Sequence, residues 1–312
     1  MKLIESKAEY IPQATVPSGS PEGILEGIYK QIELAGRTCY KSLDKVTDSS
    51  AKPFVDRMIS SKHTAMLEHG TVYLRGFIDV LANYHDNKYS KTKINGNYLY
   101  VTTNLRVLVE NNWLDDLKYL CLPTEHHKKR YTFKFTTDRG ISHELVRHRT
   151  FSFAQESQRY CNYSNAKYGN ELTFILPSWL INTLKTGHYE LCTHDNEDGE
   201  IIGPDYTENV YTYTAENIFV KECLRSELQY LNLVNDLKYS PQQARAILPN
   251  ATKTELVMTG FSSDWKFLMD LRLFERTGKV HPDMLNLTQK AQKAMQEAGI
   301  WEDIMSNPSK FE

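Results

Sequence analysis

Strand-like and helix-like stretches follow one another along this 312-residue chain without regular alternation. Regular alternation would signal a doubly wound parallel sheet. Its absence points to α+β: a mixed, mainly antiparallel sheet packed with helices. Ser20-Pro21-Glu22 reads as a helix start, with a hydroxyl at the N-cap, Pro in the first turn and an acid near the positive end. Ile24, Ile28 and Ile32 follow at helical spacing. Residues 52–61 read as a second helix and 71–77 as a strand. Residues 130–136 alternate, which sets Tyr131, Phe133 and Phe135 on one strand face. Residues 140–149 and 207–234 read as helices, and a third begins at Pro241 and stops at Pro249. A strand over 253–261, an amphipathic helix over 263–277 and a last helix from Pro282 to Gly299 complete the pattern. Residues 79–129 are rich in Asn, Lys and Tyr, with a turn signal at Asn95-Gly96, and read as an insertion carrying a strand near 98–102.

Bulk properties exclude several classes. Charge is balanced, 37 Lys+Arg against 39 Asp+Glu, so no basic excess supports a nucleic-acid coat. Five cysteines, an odd number with no C-x-x-C pair, argue against a disulfide framework or a Cys-rich zinc site and for a reducing compartment. The N-terminal MKLIESKAEYIPQA does not read as a signal peptide, and no stretch approaches the ~20 apolar residues a membrane span needs. A soluble, cytoplasmic protein is the expectation. Adjacent His126-His127 suit one ion poorly and no H-E-x-x-H occurs, so no metal is expected. No P-loop, G-x-G-x-x-G or G-x-S-x-G occurs either. Lys88, Lys91 and Lys93 interleave with Tyr84, Tyr89 and Tyr98, a pattern that could bind single strands. Against the balanced charge it reads as a solvated elaboration.

The chemistry concentrates in RHRTFSFAQESQRY, residues 147–160. Arg147, Arg149 and Arg159 offer fixed forks of donors for phosphate or carboxylate. Ser157 and Gln158 add neutral donors, and Phe151, Phe153 and Tyr160 could wall a flat ring. From the residues alone two readings stand, a solvated basic helix end and a site for an anionic, ring-bearing ligand such as a nucleotide.

The segment resembles the signature of flavin-dependent thymidylate synthases: Arg-His-Arg, a spacer with Ser, then Ser-x-Arg-Tyr, matched by Arg147, His148, Arg149, Ser152, Ser157, Arg159 and Tyr160. Arg37-Thr38-Cys39-Tyr40, His63 with Glu68-His69, Ala244 to Pro249, Leu271-Arg272 and His281 to Met284 resemble further stretches of that family. The resemblance implies one catalytic domain over 1–312 that methylates dUMP to dTMP. Methylenetetrahydrofolate would supply the carbon, NADPH the electrons and FAD the hydride, with no cysteine nucleophile. It also implies a homotetramer with shared sites, and no nucleic-acid or membrane partner. Arg147, His148, Arg149, His63 and Gln155 would hold FAD. Glu144, Arg147, Gln155, Glu156, Ser157, Gln158, Arg159 and Arg245 would surround dUMP. Arg272 would contact the uracil and favour its ionised ring, because a fixed cation stabilises a nearby anion. The sequence departs from the family at Glu144, where Gln is common, at Ala154-Gln155, where Asn-Glu is common, and at Ala65, where a hydroxyl is common. The alternative is a non-catalytic nucleotide- or RNA-binding protein that keeps the phosphate site.

Overall fold

A computed structural model describes residues 1–14, 20–165, 169–193 and 199–311. The fold is α+β, with mainly antiparallel sheets. At its centre lies a four-stranded antiparallel sheet in the order Lys7–Tyr10, Arg130–Asp138, Lys253–Phe261, Ser152–Gln155. The two long strands pair over their whole length, from Lys253 opposite Asp138 to Phe261 opposite Arg130. Tyr131, Phe133 and Phe135 meet Leu256, Met258 and Trp265 in one buried cluster, closed by Met284, Leu287 and Ala291 of the helix Pro282–Glu297. Trp265 is fully buried, and its indole N–H donates to the Tyr131 carbonyl at 3.1 Å, so its one polar atom is satisfied.

The helix Pro21–Cys39 joins this sheet to a second core. Ser20 caps it as expected, its Oγ accepting from Gly23 N at 3.2 Å. Ile24, Ile28 and Ile32 pack with Val72, Leu74, Leu99 and Val101 of a three-stranded sheet ordered Thr71–Phe77, Tyr98–Asn104, Lys91–Asn95. One turn further on, Ala35 packs on Ala154 and Val257 of the central sheet. Gly96, with φ +59°, turns the hairpin between the strands Lys91–Asn95 and Tyr98–Asn104. Leu81, Tyr84, Leu105, Leu108 and Leu120 also enter this core, so residues 79–129 are built into it.

The structure moves several sequence boundaries. The helix expected over 140–149 is Arg139–Leu145, and Arg147, His148 and Arg149 follow it in tight turns; the amides of Arg147 and His148 reach back three residues, to Glu144 and Leu145. The helix expected over 207–234 is Ala215–Leu231, capped by Thr214 Oγ1. The residues before it form the strand Tyr206–Asn209, paired with Gly199–Gly203, in keeping with their Tyr and Thr content. The helix expected over 263–277 is Ser262–Arg272. Glu275 at φ +53° and Gly278 at φ +126° turn the chain away from it. Among the described residues no helix is long and apolar enough to cross a membrane.

Candidate functional site

The helix Arg139–Leu145 is the spine of the site. Asp138 caps it, its Oδ1 accepting from Ile141 N at 2.8 Å. Three of its side chains reach three other parts of the chain. Ser142 Oγ accepts from Gln155 Nε2 at 2.8 Å, and Gln155 also donates to Thr254 Oγ1 at 3.3 Å. Glu144 Oε2 accepts from Arg272 Nη1 at 3.0 Å. Arg139, at the start, is half-buried, and burial first, with the positive charge of Arg245 adding to it, pulls its guanidinium below arginine's ordinary value. Tyr163 and Glu156 work against that shift.

Arg272 ends its helix, where a cation is favoured. Its Nε donates to His148 Nε2 at 3.3 Å, so that ring nitrogen carries no proton. Burial, and then the Arg272 charge, lower the His148 pKa to about 4. Residues 144, 148 and 272, which the sequence offered from separate motifs, are thus joined by hydrogen bonds. Phe151 fixes the turn behind them. Its ring packs edge-on against Trp265 at 4.7 Å and over Gly260, where a Cβ would come within 2.5 Å of it. Arg147 and Arg149 are exposed, with no side-chain hydrogen-bond partner among the described residues.

The loop 156–160 divides into an inner and an outer part. Glu156 is 2% exposed. It takes Lys253 Nζ at 2.8 Å, the Tyr163 hydroxyl at 3.2 Å and Lys41 Nζ at 3.4 Å. Gln158 is buried too, with no hydrogen-bond partner for its Nε2 among the described residues. Ser157 N donates to the Cys39 carbonyl at 3.0 Å, tying the loop to the end of the first helix. Ser157 Oγ accepts from Arg159 N at 3.3 Å. Arg159 and Tyr160 are exposed, and the Tyr160 ring lies 5.9 Å from Tyr40. Arg245 is half-buried and His63 exposed. The short helix Thr64–His69, which His63 begins, packs on the strand Ser152–Gln155.

A cavity of about 720 Å³ opens beside Arg149. Lys88, Tyr89, Lys91, Arg130, Phe151, Phe261 and Lys310 line it with Glu68 and Asp264. Arg130 donates through Nη1 to the Glu68 carbonyl at 3.1 Å and through Nη2 to Ser152 Oγ at 3.4 Å, while its buried Nε has no partner among the described residues. The size lies within the roughly 300–1,000 Å³ of small-molecule sites. Sequence reasoning missed Arg139, Ser142, Thr254, Arg130 and Lys253. The helix Arg139–Leu145 that carries Glu144 was the available signal for Arg139 and Ser142; Thr254, Arg130 and Lys253 lie on the two long strands and are brought in by strand pairing. Among the described residues no three His, Cys, Asp or Glu side chains gather closely enough to hold a metal.

The family description of thymidylate synthase complementing proteins, Thy1, matches residues 122–298, more than half of the chain. The chain belongs to this family. Similar Thy1-family relatives include a flavin-dependent thymidylate synthase of Corynebacterium efficiens, 25% identical over 78% of this chain and 67% of the relative. One of Corynebacterium aurimucosum is 25% identical over 88% and 79%. Among solved structures, a UMP/dUMP methylase, PolB, of Streptomyces cacaoi bound with 5-Br dUMP aligns at TM-score 0.41 and 15% identity, over 98% of this chain and 97% of that one. That likeness is too distant to carry residue roles across.

His69 adds a prediction. It is fully buried, with Nδ1 2.8 Å from Thr259 Oγ1; burial first, and then the Arg130 charge, lower its pKa to about 3. Both His69 and His148 are therefore neutral when folded, and the unfolded rings take up protons first, near 6.5. Their stabilising contribution is full above that pH and is lost as pH falls toward 4 and 3. The unfolding free energy from urea titrations should fall steadily below pH 6.5, by up to about 1.4 kcal/mol per pH unit for each ring. A His69→Gln variant with the parental slope would rule His69 out as a source.

Proposed function

We propose that this Thy1-family chain methylates dUMP to dTMP as one catalytic domain, with methylenetetrahydrofolate as carbon donor and NADPH as reductant, in a homotetramer with shared sites. The observation that carries the reading is the hydrogen-bonded set Glu144–Arg272–His148, which fixes a cation at the end of its helix. A cation fixed in this way suits a ring that takes on negative charge. FAD, when bound, would supply the hydride chemistry. The cavity beside Arg149 fits such a group by its size, its cations and its aromatic walls. Arg147 and Arg149 would hold the cofactor from the turn that buried His148 anchors, with His63 and Gln155 at its edge. Arg245, Ser157 and Arg159 would bind the nucleotide phosphate, with Glu144, Arg147 and Gln158 around the rest of it. Glu156 would shape the loop from inside, since its oxygens are already taken. Arg272 would stabilise negative charge on the pyrimidine.

The test is reconstitution. The purified protein should take up FAD, show a flavin spectrum that dUMP perturbs, and form dTMP from dUMP, methylenetetrahydrofolate and NADPH. Protein that takes up no flavin would end this reading. Arg159→Ala should weaken dUMP binding by about 10–100-fold, the range for a hydrogen bond to a charged group, and leave FAD binding unchanged. Equal loss of both ligands would remove Arg159 from the phosphate site.

A further inference from the structure

The cavity beside Arg149 has a second wall that the motif segment does not supply. Lys88, Tyr89, Lys91 and Asn104 line it from residues 79–129. Lys91 is held in place: its Nζ donates to Ser263 Oγ at 3.1 Å and lies 4.9 Å from the centre of the Phe261 ring. Lys88 lies 4.8 Å from the centre of the Tyr89 ring. The cavity is strongly cationic. Lys88, Lys91, Arg130, Arg149 and Lys310 face two acids, Glu68 and Asp264. Both acids are already engaged, Glu68 by Arg106 Nη1 and Asp264 by Phe261 N at 3.0 Å. The eleven-residue helix Ser262–Arg272 begins at this wall, and its positive end adds to the field. Arg130 brings to the same place a buried Nε that has no partner among the described residues.

Concave sites lined by one sign of charge concentrate counter-ions. The Lys–Tyr stretch could serve a single-stranded nucleic acid only if its rings were presented together. Tyr84 is instead buried in the core with its hydroxyl on Asp116 at 3.0 Å. A compact polyanion with a ring fits the cavity better than an extended strand. We propose that Lys88 and Lys91 clamp the diphosphate of the flavin dinucleotide, which makes residues 79–129 one wall of the cofactor site. This rests on the flavin reading above.

The test is titration of flavin-free protein, followed by flavin fluorescence at low ionic strength. Lys91→Gln should raise the FAD Kd about tenfold, equivalent to ~1.4 kcal/mol. The exposed Lys88→Gln should raise it several-fold, with Lys91→Arg close to the parent. Riboflavin, which has no phosphate, should bind parent and variants alike, and dUMP affinity should not move. A double variant that binds FAD as the parent does overturns the proposal, and so does one that loses riboflavin as fully as FAD. Lower NADPH affinity with unchanged FAD affinity also overturns it, assigning the lysines to the reductant's phosphates. If the parent itself binds no FAD, the flavin reading fails and the clamp with it.

Discussion

Arg272→Ala should lower dTMP turnover by about 10²–10³, the usual loss when one fixed donor to a developing negative charge is removed. The expectation follows from how the side chain is held. Its Nη1 bonds Glu144, its Nε bonds His148, and its carbonyl accepts from the Thr288 hydroxyl at 3.1 Å. A guanidinium fixed at two points needs little rearrangement when charge forms beside it. Lysine at this position would keep the charge but could not make both contacts in one geometry, so Arg272→Lys should recover only a small part of the rate. The fold should tolerate the change, because Glu144 is 31% exposed and water can replace its partner. A second readout separates this from general damage. The Arg272 charge is one of the two causes that lower the His148 pKa, so removing it should raise that pKa toward the ordinary histidine range, visible by NMR titration. Turnover above a tenth of the parent's would exclude Arg272 from the reaction. An unmoved His148 would exclude the coupling.

What was legible in the sequence was local. Ser20-Pro21-Glu22 announced a helix because the cap, the fixed φ and the acid act within one turn. Tyr131, Phe133 and Phe135 announced a strand because alternation is set by the pleat. The strand Lys2–Ile4 was not legible, since its parallel partner is Thr173–Ile175, far along the chain. Nor was the strand Tyr206–Asn209, where the helical pattern of the following residues was carried too far back. The site divides in the same way. The motif residues could be read, but their partners could not. Lys253 meets Glu156 only because the strands Lys253–Phe261 and Ser152–Gln155 pair in one register. Residues 79–129 read as an insertion with a strand of its own. Their apolar residues turn out to fill a core with Ile24, Ile28 and Ile32, a contact that no local pattern announces.

Glu156 shows what that long-range information changes, and Lys253→Met should expose it as a loss of about 3–5 kcal/mol in stability. A loop that resembles a nucleotide-binding motif invites the reading that its acid touches ligand. Here the acid points inward. Lys253 Nζ lies 2.8 Å from both Glu156 Oε2 and Glu255 Oε1. Burial alone would lower the Lys253 pKa, but the two carboxylates outweigh it and hold the ammonium above its ordinary value. Removing the lysine leaves a buried carboxylate with one neutral hydroxyl and a more distant ammonium, Lys41 at 3.4 Å. The expected loss is a large share of the roughly 5–15 kcal/mol that holds a typical domain together. Glu156→Gln should cost less, since the amide still accepts from Tyr163 and Lys253 keeps Glu255. The double variant Lys253→Met with Glu156→Leu should recover most of the loss, because the pair is then replaced by apolar groups. Urea unfolding of the parent and the three variants measures the coupling directly. If Lys253→Met costs under about 1 kcal/mol, Glu156 is reaching water, and its carboxylate becomes available to a ligand after all.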